Sequence, residues 1–325
     1  MFGPQHYPAL IRYFDGIDIA LSRRLLRKTP PDETSMTNEL CALMDGDTQR
    51  EENLLDFNLD QLNAALAACG DGLTFDVTID TYPHTSAMEA YVSQADLGLI
   101  IEYRNRVLPK LDWSVAHLIQ SKRVFRSRTT NTYDHRSRFE SVDVGQHQAI
   151  ERVAAVLGPD VFRYGLYCPP TCDLEPAVRT QFRALHTRNL EDHIFDYSFG
   201  LAQKDWLLRI DGRIDAGIWI TPVELKPTTL GALHSEAMKH ATPLTWFILG
   251  HFSRGMHFGS RPRIGSPDDL AHRVVRGDEA AIEELLERLG YTEEPRVRVL
   301  PRHTMTVRVE VARDLPDGIG PAIED

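Results

Sequence analysis

The chain has 325 residues, 47 acidic and 36 basic, for a formal charge of −11, with 42% hydrophobic and 26% charged residues. That composition excludes a disordered chain, a collagen-like repeat and a disulfide-stapled mini-protein, and the length suits one large domain or two ordinary ones. No apolar run approaches the roughly 20 residues of a membrane span, and the opening MFGPQHYPALIRYFDG lacks the basic-then-apolar layout of a secretory signal, so a cytoplasmic protein without membrane contact is expected. Bulk negative charge also argues against a phosphate-rich partner, unless the charges are unevenly placed.

In chain order, an apolar pattern from Leu10 to Leu25 ends at Pro30-Pro31, which marks a break. Ser35 then reads as the cap of a helix carrying Met36, Leu40, Leu43 and Met44 at helical spacing. A second helix is expected over Leu59 to Ala68, and Leu73 to Ile79 alternates like a half-buried strand. Two more deeply buried strands, Ala95–Tyr103 and Trp113–Lys122, are joined by a hairpin-length connection. A helix from Asp143 to Leu157 and a strand from Phe162 to Tyr167 complete a layered α/β pattern.

Beyond residue 180, Trp206–Ile210 and Ile214–Ile220 read as strands about the turn Asp211-Gly212-Arg213, and Leu244–Phe252 is an apolar run of either type. Ala280–Leu289 is an amphipathic helix and His303–Val311 a final strand. Of the four cysteines, Cys41, Cys69, Cys168 and Cys172, only the last two are close, and no second Cys/His pair stands near them at zinc-finger spacing. Reduced, unliganded thiols are expected.

The residues suggestive of chemistry fall on the two buried strands. Asp96 opens the first, and Gln120-Ser121-Lys122 closes the second, so that Gln120 and Lys122 share a face by the two-residue period. Oxygen ligands on rigid strands suit a hard divalent cation, and a lysine beside them suits a charged phosphoryl centre. This arrangement resembles the PD-(D/E)XK nuclease superfamily in its Gln-x-Lys variant, over roughly residues 35 to 168, and most closely the effector nucleases of bacterial anti-phage systems.

The resemblance implies an α/β fold with a restriction-endonuclease-like core, a mixed central sheet flanked by helices, over residues 1–180. Residues 181–325 would form a C-terminal α+β extension, regulatory or packed onto the core. It implies Mg²⁺, with Mn²⁺ able to substitute, bound by Asp96, Gln120 and an accessory acid, Glu39, on the preceding helix. Lys122 would orient or deprotonate the attacking water or neutralise charge on the phosphorane, and Gln146 would support Lys122 or the water from its own helix. The implied activity is low-specificity endonucleolytic cleavage of DNA, most readily double-stranded, leaving 5′-phosphate ends. Such an enzyme would need control by a partner protein or by oligomerisation.

A rival spelling of the motif, Asp215 with Glu224-Leu225-Lys226, carries the commoner Glu-x-Lys triplet, but eight residues between the acids leave little room for two strands and a turn, and Pro222 cannot donate to a ladder. Charge then resolves along the chain. From Arg104 to Arg138 nine basic residues face only Asp112 and Asp134, a local +7 that leaves −18 elsewhere. Arg123, Arg126, Arg128, Arg136 and Arg138 are the expected backbone contacts of a nucleic acid. Gln120 in place of an acid also fits a catalytically silent nucleic-acid-binding or scaffold subunit.

Overall fold

The computed structural model describes residues 2–70, 72–84, 95–139, 144–170, 180, 196–209, 216–225, 228–253, 268–290 and 301–313. The chain opens with helices. α1 (Tyr7–Ser22) buries Leu10, Phe14, Ile17 and Leu21 on one stripe, and a 3-10 turn, Arg23–Leu26, leads to the paired prolines. α2 (Glu33–Met44) begins earlier than Ser35: its N-cap is Asp32, whose Oδ1 accepts from the Ser35 amide at 2.7 Å. An ionised carboxylate satisfies a free amide and also meets the positive helix end, so Asp32 takes the cap and Ser35 falls inside the first turn. α3 (Gly46–Glu51) and α4 (Leu59–Ala67) follow, the latter closed by a capping box between Asn58 and Gln61.

Among the described residues, seven strands form one mixed sheet: β1 (Leu73–Pro83), β2 (Leu97–Asn105), β3 (Trp113–Arg123), β4 (Phe162–Tyr167), β5 (Ile218–Pro222), β6 (Thr242–Pro243) and β7 (His303–Arg313), in the order β1-β7-β2-β3-β4-β5-β6. β2 and β3 form the expected antiparallel pair, whereas β2 with β7 and β3 with β4 run parallel. The late strand β7 thus lies between β1 and β2, and β5 and β6 extend the sheet beyond β4. β2 and β3 are buried on both faces, which explains their nearly unbroken apolar runs.

The remaining helices among the described residues are α5 (Val144–Leu157), α6 (Tyr197–Arg209), α7 (Leu230–Ser235), α8 (Leu244–His251), α9 (Leu270–Arg276) and α10 (Glu279–Arg288). Side-chain contacts assign the faces of β3. Ser121 meets Thr37 of α2 and His117 meets His251 of α8. On the other face Ser114 meets His272 of α9, and Tyr164, the β4 partner of Gln120, meets His147 of α5.

Residues 206–209, expected in a strand, belong to α6. The buried residues Phe199, Gln203, Trp206 and Leu207 recur every three or four positions, and Trp206 packs edge-on against Trp246 of α8. Ile210 and the expected turn 211–213 lie outside the described residues, and β5 begins at Ile218 rather than Ile214.

The start of β5 is held by a buried carboxyl. Asp18 of α1 accepts from the Gly217 amide at 2.7 Å and from the Ile218 amide at 3.0 Å. Glycine is required at 217, because a Cβ there would stand 2.2 Å from Ser22 Cβ and 2.7 Å from the Cys168 carbonyl oxygen. Gly217→Ala is expected to lower stability by roughly 1–3 kcal/mol through overpacking, read by urea denaturation.

Burial pushes the Asp18 carboxyl up to about 8, against the lowering effect of the two amides. Its folded value thus exceeds its unfolded one, so the unfolded state loses this proton first as pH rises. Stability is therefore expected to fall between about pH 4 and pH 8, with a slope of up to about 1.4 kcal/mol per pH unit from this group. Asp18→Asn should remove that slope, at the cost of a worse partner for the Ile218 amide.

Candidate functional site

The site arises from a mismatch in strand length. The first residue of β2, Leu97, pairs with Ile119, so β3 runs on past β2 through Arg123. Alternate amides of β3 point towards β4, as the Leu118 and Val124 amides do. Those of Ser121 and Arg123 point the other way and lack a β2 carbonyl. Buried amides need acceptors, and two carboxylates supply them. Asp96 Oδ2 accepts from the Ser121 amide at 2.8 Å, and Glu33 Oε1 from the Arg123 amide at 2.9 Å. Successive same-side amides lie about 6.6 Å apart along a strand, so the two acids are set side by side at the sheet end.

Around these acids stand the other expected residues. Gln120 is 5% exposed, and its Nε2 donates to Asp96 Oδ2 at 2.7 Å. Lys122 is 7% exposed, and its Nζ lies 3.5 Å from Glu33 Oε2. Arg302, just before β7, brings its Nε to 3.7 Å from Asp96 Oδ1 and hydrogen-bonds the Thr34 hydroxyl. Beneath Ser121, the Thr37 hydroxyl lies 3.0 Å from both Ser121 Oγ and Tyr167 Oη. Burial raises the Tyr167 phenol far above its ordinary value, so it stays a neutral hydrogen-bonding group.

Asp96 is thus bonded to Gln120, while Lys122, two residues further along the same face of β3, is paired with a second acid, Glu33. Glu39, the expected accessory acid, lies six residues further along α2 and forms an ion pair with Arg24, away from Lys122. Gln146 is half-buried on α5. Its neighbour His147 joins α5 to the sheet, with Nδ1 2.9 Å from Tyr164 Oη, and its Nε2 lies 3.0 Å from Glu151 Oε1. The Tyr164 phenol, pushed up to about 12 by burial, lies across the strand pair from Gln120.

The donor set is carboxylate and amide oxygen, the hard ligands of Mg²⁺ rather than of zinc. Among the described residues no group of three His, Cys, Asp or Glu side chains could enclose a metal ion. Mg²⁺ does not require one, since it keeps several waters and binds through one or two carboxylates together with substrate phosphate. Asp96 and Glu33 are the residues that would meet that demand, with their carboxylates turned from the β3 amides towards the ion. Gln120 turns its amide nitrogen to Asp96, so its oxygen would become a ligand only after the amide turns over.

Comparison with protein families, with curated proteins and with solved structures finds no match.

Of the rival locus, Asp215 and Lys226 lie outside the described residues, and Glu224 is exposed in the turn after β5. The expected basic contacts divide in two. Arg123 donates to the Pro31 carbonyl at 2.8 Å and stacks on Phe125, and Arg126 donates to the Leu26 carbonyl at 3.2 Å, so both brace the turn before α2. Arg128, Arg136 and Arg138 are exposed. Cys41 and Cys168 are buried and Cys69 is half-buried, none of the three in a disulfide among the described residues, and Cys172 lies outside the described residues. Among the described residues no helix is long and apolar enough to cross a membrane.

Glu33 and Arg302 were not singled out from sequence. Glu33 carried a readable signal, an acid in the first turn behind an Asp cap. Arg302 carried none, because β7 reaches the site only through its place between β1 and β2.

Proposed function

We propose that the chain is a Mg²⁺-dependent endodeoxyribonuclease with a restriction-endonuclease-like core, acting in the cytoplasm on double-stranded DNA with little sequence preference. The observation that carries this reading is the meeting of Asp96, Gln120 and Lys122 with a second acid, Glu33, at the end of two adjacent strands. The resemblance to anti-phage effectors extends it to a defence role, with activity released by a partner protein or by oligomerisation.

In this reading Asp96 and Glu33 would hold the ion, with Gln120 as a neutral third oxygen. Mg²⁺, when bound, supplies Lewis-acid polarisation of the phosphate. The residues of the chain do the rest. Glu33 holds the Lys122 ammonium at the sheet end, where it hydrogen-bonds the attacking water or meets the negative charge growing on phosphorus. Water adds to phosphorus and the P–O3′ bond breaks, giving a 5′-phosphate and a 3′-hydroxyl. Arg302 offers a guanidinium to a phosphate oxygen once Asp96 turns to the ion. Arg128, Arg136 and Arg138 would bind backbone phosphates and position the duplex without reading bases.

The test is incubation of supercoiled plasmid with the full chain in Mg²⁺, Mn²⁺ or EDTA. Nicking and linearisation with either metal and none in EDTA is expected, whereas cleavage that persists in EDTA excludes the reading. A second reading has its own observation. Asp96 and Glu33 complete the ladder of β3, and Gln120 donates to Asp96, which is what a silent nucleic-acid-binding subunit would retain. Tight duplex binding without cleavage in the presence of either metal would favour it.

A further inference from the structure

We propose that Arg104 and Arg308 form an anion site for a phosphate group, in the cleft at the end of β2 and β7 remote from Asp96. The argument rests on an uneven share of charge. Glu102 of β2 is 1% exposed and stands opposite Arg308 in the parallel register of β2 with β7. One of its carboxylate oxygens accepts from Arg276, in the last turn of α9, at 2.7 Å. The other must serve two guanidiniums: it accepts from Arg308 Nε at 3.0 Å and lies 3.8 Å from Arg104 Nη2. Burial pushes the Glu102 carboxyl up, but Arg308, Arg104 and Arg276 hold it below its ordinary value, so it stays ionised at neutral pH. One negative charge thus faces three positive ones.

The neighbouring acids do not make up the difference. Asp112 Oδ1 accepts from the Asn105 amide at 2.7 Å, and its Oδ2 lies 3.7 Å from Arg104 Nη1. Glu310 is paired with Arg106. Among the described residues Arg104 makes no hydrogen bond and Arg308 bonds through Nε alone, which leaves most of both N–H forks to solvent. Each side chain is 39% exposed. Together with Arg106 and Asp112 they line an open cleft of about 460 Å³, with Lys110 exposed on the turn that follows Pro109 at its edge. The cleft is formed before a ligand arrives: Arg104 is fixed in the ladder of β2, and Asn105 Oδ1 accepts from the Val107 and Leu108 amides. Planar N–H forks match phosphate oxygens, and two forks that share one carboxylate suit an anion with several oxygens.

Asp96 and Glu102 are six residues apart, about 20 Å along an extended chain, and no residue of the cleft touches the nuclease site. The proposal therefore stands or falls apart from the nuclease reading. It is tested by calorimetric titration of the full chain with inorganic phosphate in EDTA, at an ionic strength held constant with chloride. Saturable binding of one equivalent is expected. Arg104→Gln should weaken it by at least about tenfold, through the loss of charge-assisted hydrogen bonds. Arg308→Lys, which keeps a cation beside Glu102 but loses the fork, should weaken it by at least about threefold. Arg128→Gln, and Lys122→Ala at the nuclease site, should bind phosphate like the native chain. A short DNA duplex then distinguishes the source of the phosphate. Displacement of inorganic phosphate by duplex assigns the site to the DNA backbone, and no displacement assigns it to a free phosphate group. No saturable phosphate binding by the native chain, undiminished binding by both Arg104→Gln and Arg308→Lys, or an equal loss in Arg128→Gln or Lys122→Ala would overturn the proposal.

Discussion

Lys122→Ala is expected to reduce metal-dependent plasmid cleavage by at least about 100-fold, the usual scale for loss of a general acid–base or charge-stabilising group. The cations left nearby are poor substitutes. Arg123 is turned to the Pro31 carbonyl, and Arg302 faces Asp96. Lys122→Arg should not restore the rate, because a planar guanidinium does not fit the nearly closed slot of a lysine beside Glu33. Glu224→Ala, in an exposed turn, should cleave like the native chain. Initial rates, with circular dichroism to establish folding, decide the matter; Lys122→Ala cleaving within twofold of the native chain would remove the lysine from the mechanism.

Glu33→Ala is expected to be the most destabilising single change at the site, by roughly 3–5 kcal/mol, because it leaves a buried ammonium without its carboxylate. The Arg123 amide loses its acceptor in the same step. Glu33→Ala with Lys122→Ala should recover part of the loss, since the unpaired charge is gone. Glu39→Ala, breaking a half-exposed pair with Arg24, should cost less than about 1 kcal/mol. Urea denaturation of these variants at pH 7 measures all of it, and equal losses for Glu33→Ala and Glu39→Ala would show that the site acid is misassigned.

The strands were legible where burial imposes a period. Leu73–Ile79 alternates and is β1, and the apolar runs before Tyr103 and Lys122 are the doubly buried β2 and β3. The face shared by Gln120 and Lys122 followed from the same period. Helix content failed at Trp206, where a short apolar stretch resembles a strand until its spacing is traced back to Phe199 in α6. Glu39 lies beside the buried stripe of α2, but side-chain direction at a sheet end depends on which amides lack partners. That is a tertiary fact: only the four-residue overhang of β3 past β2 calls Glu33 into the ladder. Likewise, nothing local brings Arg302 to Asp96 or His251 to His117.

The central claim is that Asp96 anchors a divalent metal at this sheet end. Mn²⁺ binding, followed by the loss of the free-ion signal in electron paramagnetic resonance, tests it without requiring an activated enzyme. With a short DNA duplex present, the native chain should remove Mn²⁺ from solution, Mg²⁺ should compete for it, and Asp96→Asn should weaken binding by at least about tenfold while remaining folded. Equal Mn²⁺ uptake by the native and Asp96→Asn chains, or none by either, would contradict the account.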